Sequence, residues 1–267
     1  MKHPVTLLGL PTDSNSSHLR GPASAPAAIR TLMKSGMSNL CAENGTDLSD
    51  LTIFKDAGDV SITETKDDFE GIAEASRAAF ENGPAVFLGG DHFVTWPAVE
   101  GLVRARDEPP HLVHIDAHPD LYPNFEDNPH SHASPMARLV ENDRIASLTQ
   151  IGIRTINPVQ QAQINKYGVK VITPSNLQNL RSVLPNGPTY LTIDLDGLDP
   201  AYAPGVSHHE PGGLSVRDVI KIIADLPGPL IGGDIVELNP ERDLNDMTAA
   251  VALKLLKEMV SRIAADQ

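Results

Sequence analysis

Short apolar runs punctuate the chain and predict eight strands: Val5–Leu10, Leu51–Phe54, Ala85–Leu88, Leu112–Ile115, Leu148–Ile153, Val169–Ile172, Tyr190–Leu195 and Leu230–Val236. The stretches between them carry the helical period and its end signals. Ser24 is placed to cap a helix running to about Lys34, with Pro26 in its first turn. Asp67–Asn82 is amphipathic and ends at Gly83-Pro84. Further helices are predicted over Thr95–Arg106, from near Ser134, and over Pro158–Tyr167, Asn176–Val183, Val216–Asp225 and Met247–Ala264. Pro11–Ala23 and Ser38–Asp50 read as polar connectors, Asp56-Ala57-Gly58-Asp59 as a turn, and Leu121–His130 as a long irregular loop. Strand and helix therefore alternate, which predicts an α/β fold with a parallel sheet and helices on its faces. A doubly wound open sheet and a closed eight-fold barrel both fit the pattern. In either, functional residues gather at the carboxyl ends of strands. No linker or change of composition divides the chain, so residues 1–267 are expected to form a single domain.

Composition narrows the class. Apolar residues make up 40% of the 267 residues and aromatic ones only 4%, so aliphatic side chains must fill the core, as in a sheet covered by helices. The net charge of −14 offers no basic stripe for nucleic acid and no polybasic membrane segment; it mildly favours cationic small molecules. Cys41 stands alone, so no internal disulfide forms, in keeping with a reducing cytoplasm. The apolar start Val5–Leu10 is too short for a signal sequence, and no run reaches membrane-spanning length. The expected location is cytoplasmic.

The chemistry sits at four strand ends. In HLVHIDAHPD (His111–Asp120), Asp116, His118 and Asp120 stand at alternate positions, which in an extended segment share one side. His92 follows two glycines in GGDH, TIDLDGLDP supplies Asp194 and Asp196, and GGDIVELNP supplies Asp234 and Glu237. Crowded carboxylates are costly to bury without a cation. His92, Asp116, His118, Asp120, Asp194 and Asp196 form a nitrogen/oxygen set without sulfur, suited to Mn²⁺, or to Zn²⁺, Co²⁺ or Fe²⁺. The set's four aspartates are too many for one ion, so two ions sharing Asp116 and Asp194 are expected. Two such ions roughly 3.5–4 Å apart lower the pKa of a bridging water and supply hydroxide at neutral pH. Two divalent ions and four aspartates sum to zero charge, and hydroxide makes the site −1, which tolerates a cationic substrate. Glu237 could hold a guanidinium by paired hydrogen bonds. Asp56, Asp59, Asp91 and Asp199 read as turn or supporting residues, Cys41 as inert, and Met247–Ala264 as core or subunit packing. Each motif alone is a weak signal; their joint occurrence at separate strand ends is what points to a metal site.

GGDH (Gly89–His92), DAHPD (Asp116–Asp120), SHASP (Ser131–Pro135), DLDGLDPAYAPG (Asp194–Gly205) and VELNP (Val236–Pro240) resemble the arginase/agmatinase ureohydrolase family, in the same order. The resemblance runs from GPASAPAAIR (Gly21–Arg30) to the last helix. Asp120–Arg138, Ile151–Asn157 and Pro204–Val219 look most like the plant-type arginase branch, itself closer to agmatinases than to animal arginases. The resemblance implies a three-layer αβα fold around an eight-stranded, mostly parallel sheet, with a binuclear manganese site. It implies one ion on His92, Asp116, Asp120 and Asp194 and the other on Asp116, His118, Asp194 and Asp196. It further implies a bridging hydroxide as nucleophile, Asp120 orienting it, His132 as the mobile acid/base for the leaving amine, and Glu237 gripping the guanidinium. A homo-oligomer, trimer or hexamer, is also implied.

The chain departs from the family in places. Phe93 replaces the serine that commonly follows GGDH, so a supporting hydrogen bond is lost or replaced. Asn157 stands where animal-type arginases carry an aspartate for the substrate α-amino group. SHHEP (Ser207–Pro211) replaces an agmatinase-like GTPEP, and His208 and His209 are candidates to read the substrate tail or are plain loop residues. The expected activity is release of urea from a guanidino compound, L-arginine first, agmatine next, then an ω-guanidino acid such as guanidinobutyrate. The rival of a different class is a metal-binding oligomer without hydrolysis.

Overall fold

The structure, a computed structural model, describes residues 3–178 and 180–267. Its strands are β1 (Val5–Leu10), β2 (Phe54–Asp59), β3 (Ala85–Gly89), β4 (His111–Ile115), β5 (Ser147–Ile151), β6 (Lys170–Ile172), β7 (Thr189–Asp194) and β8 (Leu230–Val236). They form one sheet in the order β2-β1-β3-β8-β7-β4-β5-β6, and every neighbouring pair is parallel. β2 and β6 are free edges, so the sheet is open and the barrel alternative falls.

Helices α1 (Ala25–Lys34), α2 (Asp68–Glu81), α3 (Thr95–Arg106), α4 (Pro135–Glu141), α5 (Pro158–Tyr167), α6 (Leu180–Val183), α7 (Val216–Asp225) and α8 (Met247–Asp266) cover both faces. Because strand side chains alternate, one strand feeds two cores. Val86, Leu88, Val113, Ile115, Leu191 and Ile193 pack against Ile29 of α1, Val219 of α7 and Leu253 of α8. Phe87, Leu112 and Tyr190 face the other way, against Ile72 of α2, Leu102 of α3, Leu139 of α4 and Ile164 of α5. This is the expected three-layer αβα fold. Strands buried on both faces read as unbroken apolar runs, which is why β1, β3, β4 and β8 were legible.

Three expectations require correction. The second strand covers Phe54–Asp59 instead of Leu51–Phe54, so the supposed turn lies inside it. β2 is an edge strand paired only with β1, its polar side chains are exposed, and Arg30 of α1 bonds Asp56 and Asp59. Polarity there marks an edge and not a turn. Ser24 precedes α1 but makes no capping bond, because a 3₁₀ turn over Pro22–Ser24 already leads into the helix. The helix expected over Asn176–Val183 is split into a 3₁₀ turn, Pro174–Asn176, and α6; Asn179 lies outside the described residues.

Gly90, just after β3, fixes the approach of the β1–α1 loop. Its carbonyl accepts from Glu237 N at 2.9 Å, and its own N–H donates to Leu10 O at 3.0 Å. A Cβ at Gly90 would stand 1.8 Å from the Thr12 carbonyl oxygen. Backbone meets backbone there, so no rotamer relieves the clash. Gly90→Ala is expected to destabilise the fold by about 1–3 kcal/mol, the usual cost of overpacking, measured by urea denaturation.

Candidate metal centre

The four chemically loaded strand ends belong to β3, β8, β7 and β4, which are contiguous in the middle of the sheet. Their carboxyl ends therefore face one another across a single crevice.

The convergence does not come from strand alternation. β4 stops at Ile115, and the chain turns over the next residues, with Asp120 in the left-handed region at φ 50°. The Asp116 carboxylate accepts from His118 N at 2.6 Å, and Asp194 accepts from Asp196 N at 2.8 Å. Each D-x-H or D-x-D segment is thus an aspartate-capped turn, which swings residue i+2 back over residue i. The two turns pack together: Ala117 N donates to Asp196 Oδ1 at 3.2 Å.

Two donor groups result. His92 Nδ1 lies 3.3 Å from Asp116 Oδ2, 3.0 Å from Asp120 Oδ2 and 3.1 Å from Asp194 Oδ2. His118 Nδ1 lies 3.3 Å from Asp116 Oδ1 and 3.2 Å from Asp196 Oδ2. Asp116 offers one oxygen to each group, as a bridging ligand does. All six residues predicted as ligands are therefore brought together. Burial, then the charges of Asp196 and Asp116, push the Asp194 carboxyl well above the usual range. Burial and Asp116 push Asp196 up to about 7. His92 Nδ1 is buried and makes no hydrogen bond, although three carboxylates surround it. An unpartnered nitrogen lone pair facing crowded carboxylates is a donor set completed by a cation.

Two relays behind the ligands escaped the sequence reading. Thr192 Oγ1 donates to Asp234 Oδ1 at 2.5 Å, so it accepts from His92 Nε2 at 2.9 Å. That places the His92 proton on Nε2 and frees Nδ1 for the centre. Asp234 also accepts from Tyr190 and Thr95, and it is fully buried in the sheet; it supports the site without facing it. On the other side Gln150 Nε2 donates to Pro119 O at 2.6 Å and to His114 Nδ1 at 2.9 Å. His114 Nε2 is then the protonated nitrogen, and it donates to Asp116 Oδ2 at 2.7 Å. His114 lies within reach of the His92 group, but its lone pair is spent, so it orients Asp116. The signal available in sequence was a histidine, a glutamine and an aspartate inside buried parallel strands, where each needs a partner.

A cavity of about 530 Å³ opens onto the centre, lined in part by Asp120, His132, Asn157, His208, Glu210 and Glu237. Glu237 sits just past β8 in the left-handed region at φ 66°. Its Oε1 accepts from His92 N and from His132 Nδ1, both at 2.8 Å. Paired hydrogen bonds to a guanidinium therefore require His132 to yield its place; Oε2 is the oxygen left. At its other nitrogen His132 meets Ser17 N at 3.1 Å and Ser17 Oγ at 2.8 Å. Burial opposes a charged His132, but Glu237 outweighs it and raises its pKa to about 9. The Ser17 N–H suits the neutral ring, and the Ser17 hydroxyl accepts from the charged one. Ser17 was not singled out in the sequence.

The tail residues divide. Asn157 lines the cavity, yet Oδ1 caps α5 by accepting from Gln160 N at 3.0 Å, and Nδ2 donates to Tyr122. His208 lines it too, its ring 5.4 Å from that of His132; burial, then the charge of His132, lowers its pKa to about 4 and keeps it neutral. His209 is a correction: it is exposed, tied to Pro204 O at 2.7 Å, and outside the cavity wall. Phe93 replaces the family's serine with packing. It stacks on His130 at 5.5 Å and meets Trp96 edge-on, anchoring the end of the Leu121–His130 loop.

The description of the arginase family fits residues 3–261 of the chain. Arginase 1, mitochondrial, of Arabidopsis thaliana is 40% identical over 98% of this chain and 82% of its own length. The agmatinase of Bacillus subtilis (strain 168) is 29% identical over 95% of this chain and 90% of its own. Among solved structures, the arginase from Medicago truncatula superposes with a TM-score of 0.92 at 38% identity, covering 98% of this chain and 87% of that one. The chain belongs to the arginase family. The family is metal-dependent, and the chain has a buried histidine–aspartate cluster able to hold a metal ion.

Two measurements follow from the geometry. Chelation of bound metal should lower the melting temperature, and added Mn²⁺ should restore it, because a ligand that binds only the folded state stabilises it. Thr192→Val removes no ligand, yet it should weaken metal affinity by about 10- to 100-fold, read by metal retention after dialysis. Full retention would show that the His92 tautomer is set elsewhere.

Proposed function

We propose that the protein hydrolyses a guanidino compound to urea and an amine, with L-arginine giving L-ornithine as the principal reaction and two manganese ions as cofactor. The observation that carries the reading is the shared carboxylate of Asp116, with His132 and Glu237 on the wall of the same cavity. The nitrogen/oxygen donor set suits manganese. When bound, the ions supply Lewis acidity and a water acidic enough to attack at neutral pH.

The residues of the chain supply the rest. Glu237 Oε2 accepts from a guanidinium N–H and fixes the carbon over the centre. Asp120, against His92 at the cavity wall, accepts the proton of the attacking water. Oxygen adds to the guanidinium carbon, the bond to the alkyl nitrogen breaks, and His132 delivers a proton to that nitrogen as it leaves. Ser17 holds the far side of His132, its hydroxyl accepting a hydrogen bond from Nε2 of the charged ring. Guanidinium is resonance-stabilised, so both the activated water and the protonated leaving group are needed.

Agmatine is the second substrate, favoured by one observation: both polar atoms of the Asn157 side chain are spent within the protein. The reading extends to a cytoplasmic homo-oligomer, trimer or hexamer, whose mass light scattering measures.

Urea release by manganese-loaded protein, with arginine, agmatine and guanidino acids as substrates, tests the proposal; no release from any of them leaves the inactive metal-binding oligomer. Glu237→Gln should lower kcat/KM by about 10- to 150-fold, the worth of one hydrogen bond to a charged group. His132→Ala should lower kcat by about 10²- to 10⁴-fold, the usual share of a general acid. Unchanged turnover in either variant removes that residue from the mechanism.

A further inference from the structure

We propose that Glu210 selects the substrate by its far end, taking an ammonium group and turning away a tail whose only charge is a carboxylate. This rests on the guanidino-hydrolase reading above and narrows its substrate class.

The argument is an inventory of charge on the cavity wall. Asp120, Asp194 and Asp196 belong to the donor groups around His92 and His118. Glu237 holds His132 and the His92 backbone, with one oxygen left toward the guanidinium. Arg154, the one arginine on the wall among the described residues, is unavailable to a substrate carboxylate: its guanidinium donates to the backbone carbonyls of Gly152, Asp196, Gly197, Leu198 and Glu210. No lysine lines the cavity among the described residues. His208 is neutral. An anionic tail therefore meets no arginine or lysine free to pair with it among the described residues.

Glu210 is the charge that remains. Its carboxylate has no hydrogen bond among the described residues, and its nearest charged partner is His118 Nε2 at 4.0 Å, beyond hydrogen-bond reach. Its backbone is fixed, because Arg154 Nε donates to the Glu210 carbonyl at 2.9 Å. A fixed backbone with a free carboxylate at 39% side-chain exposure suits the mouth of a site that receives a second positive charge. Gln160 adds a second acceptor on the same wall, its Oε1 buried without a partner. The uncommitted groups thus favour agmatine and the α-amino end of arginine over an ω-guanidino acid.

The test compares wild type with Glu210→Gln on arginine, agmatine, 4-guanidinobutyrate and a neutral alkylguanidine, with metal content measured in both proteins. The ratio of kcat/KM for either amine-bearing substrate to that for the alkylguanidine should fall about 3- to 30-fold, the partial exposure holding it below the worth of a buried pair. The fall should lie in KM, and the same ratio for 4-guanidinobutyrate should rise. An equal loss on all four substrates, or a drop in bound metal, overturns the assignment and makes Glu210 a support for His118. No turnover of any guanidine by the loaded wild type overturns the hydrolase reading, and this one with it.

Discussion

Mutual repulsion among buried carboxylates is the constraint on which this structure turns. Asp116, Asp120, Asp194 and Asp196 are held together largely out of water, which reaches Asp120, Asp194 and Asp196 only through the cavity and screens them poorly. Protonation or bound cations relieve that repulsion, and a cation that does so contributes to folding as much as to the chemistry. The rest of the architecture serves that confinement. Rigid parallel strands place the two aspartate-capped turns side by side, and helices on both faces keep water from the strands beneath them.

The confinement explains why so much of the surrounding polarity is committed. Thr192, Asp234, Gln150 and His114 do not touch a substrate; each settles which atom of a ligand points at the centre. A histidine with its proton on the wrong nitrogen would offer the ions no lone pair. The left-handed backbone at Asp120 and Glu237 belongs to the same logic. Each lies just beyond a strand, where the chain must bend sharply for a carboxylate to face the crevice, and such conformations persist only where surrounding bonds hold them.

The convergent aspartates and histidines were legible because such residues at strand ends are conspicuous against apolar runs. The supporting network was not, because Thr192 reads as an ordinary β-branched strand residue and Gln150 as one polar residue in an apolar run. Its partners lie on other strands, and strand order is not written in local pattern. The same blindness displaced the second strand: its exposed polar residues imitate a turn, and only pairing with β1 reveals the extension. It also produced the right residues for the wrong geometrical reason at Asp116–Asp120, where alternation was assumed and a tight turn does the gathering. Ser17 lay in a loop whose role depends on a histidine more than a hundred residues away.

The position of β8 has a temporal meaning. It is made after the other seven strands described here, yet it lies between β3 and β7. Until it inserts, the sheet consists of two separate blocks, β2-β1-β3 and β7-β4-β5-β6, with His92 on one and the aspartates on the other. A chain whose β8 has yet to pair therefore holds its six donor residues on two unjoined blocks. Assembly of the complete set waits on that one late segment, which joins the halves and encloses the charge.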